Sequence, residues 1–286
     1  SHRATPVMMV ELVSSSLFRT IPPRSQKIRM KSRVVHARSL GGAALESLST
    51  GKGARIMGTT SRGIFLQIES ARLVFLSWEH WRGPLTVNLE ARLEGLDAQE
   101  PVCLERGMLR LGEHRIVLPS GQPWEPSPPP RTRSTPDERR RRARALLEEA
   151  RRSGRVSALA HLLDQAVPLQ PESLLGLGPG LTPSGDDLLA GALLARARRG
   201  AAPAPPEALL SVARRRTTTL ACNLLELAAR GLADERLVNL ADHVNTGAPC
   251  NRAFMDWGAH SGVDALLGMT LEERLFGLGG ESGPAS

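Results

Sequence analysis

Residues 188–195 read LLAGALLA, a run with no polar side chain on any face of a helix. At 3.6 residues per turn such a segment offers no stripe to water, so it belongs at the centre of a helical bundle. Other helices must then cover it, and the apolar periodicity predicts them over 139–152, 156–165, 187–199, 207–230, 235–244 and 261–275. Turn-forming residues at 200–206 and 245–249 separate several of these.

Upstream the pattern changes. Between 34 and 118 the apolar runs are short, and ARIMGTTSRGIFLQIESARLVFLSW gives three strand-like runs separated by TTSRG and ESAR. MLRLGEHRIVLPSG repeats the form around a GEH turn, and 43–48 predicts one short helix. Six prolines fall in the fifteen residues 122–136, a composition that suits neither a helix interior nor a sheet interior. Thr135, Pro136, Asp137 and Glu138 follow as a capping residue, a first-turn proline and first-turn acids.

The expected class is therefore α+β, with an N-terminal mainly β domain followed by a C-terminal α-helical domain. Residues 1–30 are expected to be a flexible or extended start, 31–121 the β domain, 122–136 a linker and 137–286 the α domain. A length of 286 residues suits two units, at roughly 150 residues per domain.

The formal charge of +8 is almost wholly arginine, since Lys27, Lys31 and Lys52 are the only lysines. Arginine is the better fork for phosphate and carboxylate. One basic cluster runs over 19–38 and another over 131–155, where Arg139, Arg140, Arg141 and Arg142 are consecutive. Such runs read first as solvated surface. Nucleic-acid binding is the alternative, and it is not favoured because no aromatic residues interleave the arginines. Cys103, Cys222 and Cys250 form no CxxC pair, so neither a disulfide framework nor a zinc site is indicated. No apolar run approaches the roughly 18 residues of a membrane span. A cytoplasmic protein without a membrane partner is the expectation.

The densest chemical signal is GLGPGLTPSGDDLLAG, which leads into the apolar helix. Glycines let backbone amides approach a ligand, and a helix start carries unpaired N–H groups and the positive end of the helix dipole. Gly178, Gly180, Thr182, Ser184 and Gly185 are thus candidates to hold a small anion. A structural reading also exists, in which Thr182 or Ser184 caps the helix and Asp187 completes a capping box. That reading leaves GLGPG and Asp186 unexplained.

SGDDLLAG at 184–191 recurs as SGVDALLG at 261–268, 77 residues later, with Ser, Gly, Asp, Leu and Gly matching. The two helices are expected to pack at their glycines and aim both starts at one point. That brings in Ser261, Gly262 and Asp264, with His260 beside them. Arg216, Thr217 and Thr218 precede another helical stretch and can supply a guanidinium fork and hydroxyls to the same anion. Asp186 and Asp187 have three possible roles: capping, Mg²⁺ coordination through substrate phosphate, or general base. No permanent metal site is expected, and any Mg²⁺ would arrive with a phosphorylated substrate. GKG at 51–53 lacks the rest of a phosphate-binding P-loop and reads as a turn.

GLGPGLTPSGDDLLAG, the TTTL segment and the terminal HSGVDALLG together resemble the AllH-like family, from about residue 34 onward. The type member is the AllH subunit of oxamate carbamoyltransferase, found with purine and allantoin breakdown genes. The resemblance implies transfer of a carbamoyl group between oxalurate or oxamate and phosphate, in concert with other subunits. Family members generally carry HSSG where this chain has AHSG, so one hydroxyl position departs from the pattern. On this reading Gly178, Gly180, Thr182, Ser184 and Gly185 hold phosphate while Asp186, Asp187 and His260 orient or activate the acceptor. The alternative is a non-catalytic subunit that binds a phosphate or nucleotide metabolite for regulation.

Overall fold

The structure is a computed structural model. It describes residues 33–277 except 51–52, 70–71, 97–99, 106, 132–133, 166–167 and 201–206. The extended start expected for 1–30 and most of the GKG turn lie outside the described residues.

Strands β2 (Ala54–Thr59), β3 (Gly63–Ile68) and β4 (Leu73–Ser77) coincide with the three turn-punctuated runs. The first hairpin closes at Thr60, whose hydroxyl accepts from the Arg62 and Gly63 amides at 3.1 Å each. Strands β7 (Met108–Leu111) and β8 (His114–Val117) flank the tight turn at Gly112, which holds φ +53°. Three further strands complete the set, namely β1 (Arg33–Leu40), β5 (Thr86–Leu89) and β6 (Val102–Glu105).

These eight strands close into a barrel in the order β1-β5-β4-β3-β2-β6-β7-β8. The expected α+β class, with a mainly β domain of hairpins before an α-helical domain, is corrected by this closure. The layout is a closed β-barrel followed by helices, and only the order along the chain stands. Closure depends on two parallel pairings, β1 with β8 and β4 with β5. Local turn signals report antiparallel neighbours and are blind to parallel pairs joined across the barrel. Register shifts at Ala37/Ser39 and Ile56/Gly58 bend two strands around the curve. Inward residues such as Leu66, Ile68, Val74, Leu76, Leu89 and Ile116 fill the interior. The short helix α1 (Gly42–Thr50) adds Ala44 and Leu48 to that core.

The helices are α2 (Pro136–Arg152), α3 (Pro171–Leu174), α4 (Ser184–Arg198), α5 (Glu207–Arg216), α6 (Thr219–Ala229), α7 (Glu235–Thr246) and α8 (Ser261–Phe276). Thr135 caps α2, and Glu138 completes the capping box. Two expected helices differ. The segment 156–165 forms only a 3-10 turn at Ala160–Asp164. The segment 207–230 breaks in two because Thr218 leaves helical geometry and caps α6, accepting from the Ala221 amide at 3.1 Å.

Helix α4 is buried on every side, as its composition requires. Its main partner is α8, running in the same direction. A Cβ built on Gly191 would lie 2.0 Å from the Ala265 carbonyl oxygen, and one on Gly268 would lie 1.8 Å from that of Leu188. The helices meet backbone to backbone, each contributing a glycine to the other's fifth motif position.

A methyl group at Gly268 must push the two helices apart. Gly268→Ala is expected to lower the unfolding free energy by roughly 1–3 kcal/mol or more. Gly121, with open space around its missing Cβ, is the control. Gly121→Ala is expected to stay within about 0.5 kcal/mol in the same urea titration.

Candidate functional site

The loop before α4 is shaped by glycines in left-handed geometry, with φ +74° at Gly176, +115° at Gly178 and +100° at Gly180. Gly178 and Gly180 are exposed, while the helix start beneath them is not. The N-cap is Pro183, and no side chain caps the helix. Gly185 follows because a Cβ there would lie 2.0 Å from the Leu174 carbonyl oxygen. Its amide donates to Leu177 O at 2.9 Å.

The start of α8 repeats this geometry. A Cβ on Gly262 would lie 1.8 Å from Phe254 O, and the Gly262 amide donates to Trp257 O at 3.1 Å. Leu174 and Leu177 are three residues apart, as are Phe254 and Trp257. Pro183 O accepts from the amides of Asp186 and Asp187, and His260 O accepts likewise from Val263 and Asp264. His260 is the N-cap, is exposed, and makes no side-chain cap.

The two motifs exchange side chains. The Ser261 hydroxyl, and after it that of Thr182, favours the ionised form of Asp187. Ser157 and then Ser184 likewise favour the ionised form of Asp264. Each motif's serine therefore serves the other motif's aspartate, and Thr182 Oγ1 lies 3.4 Å from Ser261 Oγ across the pair. Both carboxyls are sealed, at 2% and 1% exposure for Asp187 and Asp264. Neither Ser-to-Asp spacing acts as a capping box within its own helix.

Burial dominates the electrostatics. It drives Asp187 up to about 8, with the neighbouring Asp264 adding to the rise and the Ser261 and Thr182 hydroxyls opposing it. Asp264 is raised by burial against the pull of Ser157, Ser184 and His260. Asp186 is raised by burial too, although Thr217 Oγ1 donates to it at 2.6 Å and the Gly176 amide at 3.1 Å. At neutral pH Asp187 is mostly a carboxylic acid. Asp187 Oδ2 and Asp264 Oδ1 are buried without a hydrogen-bond partner.

The remaining expected residues divide. Thr217 and Thr218 reach the site, the first through Asp186 and the second by donating its hydroxyl to Leu181 O. Arg216 turns away, with Nη1 on Glu172 O at 2.9 Å. Ser157 and Gly176 were not anticipated as site residues. Gly176 lay inside the glycine-rich run, whereas nothing in RVSALA marks Ser157.

Among the described residues no group of three or more His, Cys, Asp or Glu is arranged to hold a metal ion. Among them also, no helix is long and apolar enough to cross a membrane. Fold and site together define a barrel-plus-helix protein with a duplicated helix start and buried carboxylic acids. Residues 174–272, about a third of the chain, match the family model described as oxamate carbamoyltransferase subunit AllH. The matched stretch holds the glycine-rich loop and both Ser-Gly motifs, and is the part of the expected resemblance from residue 34 onward that the match supports. No curated protein and no solved structure matches the chain.

Asp187 makes stability depend on pH. From its ordinary 3.8 up to about 8 the folded protein keeps a proton that the unfolded chain has released. Stability attributable to this group is therefore complete below about pH 4 and lost as pH rises to about 8, with a slope of up to about 1.4 kcal/mol per pH unit. Asp187→Asn is expected to flatten that part of a pH series of urea midpoints.

Proposed function

We propose that the chain is a subunit of a carbamoyltransferase-type enzyme, and that the paired starts of α4 and α8 receive its small anionic substrates. These are of the oxamate or oxalurate type on one side and of the carbamoyl phosphate or phosphate type on the other. The observation that carries this reading is the meeting of the two helix starts, where Thr182 Oγ1 lies 3.4 Å from Ser261 Oγ beside the buried Asp187 and Asp264.

A carbamoyl compound is planar and carries both N–H donors and oxygen acceptors. Its N–H groups and oxygens match the half-buried hydroxyls of Thr182, Ser184 and Ser261, each of which both donates and accepts. A protonated Asp187 adds no charge to repel the anion, and the positive ends of two parallel helices favour it. Gly178, Gly180, Thr182 and Ser184 form the rim on the α4 side, with Ser261 and Gly262 opposite. The Gly185 and Gly262 amides serve Leu177 and Trp257 instead, so these glycines contribute by permitting close packing.

A group titrating near 8 both gives and takes a proton near neutrality, which suits Asp187 to relay the acceptor's proton through the Ser261 and Thr182 hydroxyls. Negative charge developing on the carbamoyl oxygen is stabilised by the two helix starts. Asp186, held by Thr217 and Gly176, fixes the loop, and His260 at the exposed rim is placed to meet the anionic end of a substrate. Other subunits supply the rest of the active site, and Mg²⁺ enters only with a phosphorylated substrate.

The engagement of the Gly185 and Gly262 amides favours a second reading, a subunit that binds the anion without turning it over. Calorimetry with oxamate and with carbamoyl phosphate, followed by a carbamoyl-transfer assay with the partner subunits, separates the two. Catalysis predicts that Asp187→Asn lowers turnover by about 10²–10⁴ with the circular dichroism unchanged. Full turnover by a folded Asp187→Asn overturns the catalytic assignment.

A further inference from the structure

The arginine run of α2 has no role at the helix starts. Arg140 and Arg144 lie one turn apart on one face of α2, against the last turns of α8. Between them opens a pocket of about 190 Å³ lined in part by Arg140, Arg144, Arg274, Gln165, Thr270 and Glu273.

Its wall is basic even after pairing. Glu273 is shared by Arg139 at 2.9 Å and Arg140 at 3.2 Å, and Asp137 also meets Arg140. Glu272, buried behind it, is shared by Arg196 at 3.2 Å and Arg199 at 2.7 Å. Arg139 is depressed below its usual value, by burial first and by Arg199 next, so like charges crowd this region. Arg274 is anchored by Nη1 on Leu162 O at 2.7 Å, which fixes its guanidinium in the wall. Arg144 is exposed and makes no ion pair among the described residues. The lining itself thus carries three guanidinium groups, Arg140, Arg144 and Arg274, against the one carboxylate of Glu273.

We infer that this pocket is a second anion site, built for a compact anion with several oxygens, such as inorganic phosphate or a short dicarboxylate. Guanidinium forks bind such oxygens in pairs. The volume lies below the roughly 300 Å³ at which sites for larger ligands begin, which sets the size class. It is distinct from the proposed substrate site, since the α8 start lies at the other end of a helix roughly 24 Å long.

Calorimetry on the full chain with inorganic phosphate and, separately, malonate, at constant ionic strength, tests the inference. Saturable binding is expected, weakened at least about tenfold in Arg144→Gln and Arg140→Gln and retained in Asp187→Asn. Tighter binding of phosphate identifies a phosphate-type ligand, and tighter binding of malonate a dicarboxylate, either of which supports the site. No saturable heat beyond sodium chloride overturns it. So does binding that is lost in Asp187→Asn but kept in both arginine variants, because the anion would then lie at the helix starts.

Discussion

The backbone contact of α4 with α8 is the constraint on which the rest of the helical unit depends. With Gly191 against Ala265 O and Gly268 against Leu188 O, the two helices have no room for a side chain between them. Because they run in the same direction, their positive ends are neighbours, and so are their negative ends. Placing like helix ends together is unfavourable unless each end meets compensating groups. At the carboxyl ends Arg196, Arg198 and Arg199 provide them, the first and last through Glu272 and the second through Asp242 at 2.6 Å. At the amino ends the first turns carry Asp186, Asp187 and Asp264.

Those acids do not behave as a simple helix-start rule predicts. A carboxylate at a helix amino end gains from the dipole by typically 0.3–1 kcal/mol at exposed positions. Full burial outweighs that gain, and the hydroxyls of Ser261 and Thr182 only partly offset it, so Asp187 rises instead of falling. The site is thus less charged than its composition suggests, with hydroxyl and carboxyl groups arranged to hydrogen-bond. That matters for an anionic ligand, because three ionised carboxylates would exclude it.

Much of this was legible in the sequence. LLAGALLA required a central helix, the Thr-Pro-Asp-Glu start fixed the beginning of α2, and the repeated Ser-Gly motif forecast glycine packing with both starts together. Barrel closure was not legible, because β1 and β8 lie at opposite ends of the strand region, the consecutive β4 and β5 pair in parallel where a hairpin is the default, and β5 and β6 are only four residues each. The Ser-x-x-Asp spacing by itself suits a local cap. The same spacing places serine and aspartate on one face of a helix, where they meet their opposite numbers on a parallel partner instead. The equivalence of Leu174 with Phe254 and of Leu177 with Trp257 was hidden because these residues contribute carbonyl oxygens, and any side chain can do that.

The barrel contributes to the site through α6. Asn223 Oδ1 accepts from the Leu73 amide at 2.9 Å, and Glu226 pairs with Arg72, so the side of α6 is fastened to β4 and its approach. Asn223 is itself buried, which makes an unmade bond there costly and the attachment firm. At its other end α6 starts from Thr218, whose hydroxyl binds Leu181 O, next to Thr217 on Asp186. The glycine-rich loop, though long in residues of high backbone freedom, is therefore held at both Gly176 and Leu181 by a helix that the barrel fixes in place. Loss of either threonine hydroxyl would free the loop without touching the α4–α8 contact, which separates the positioning of the rim from the formation of the buried acid pair.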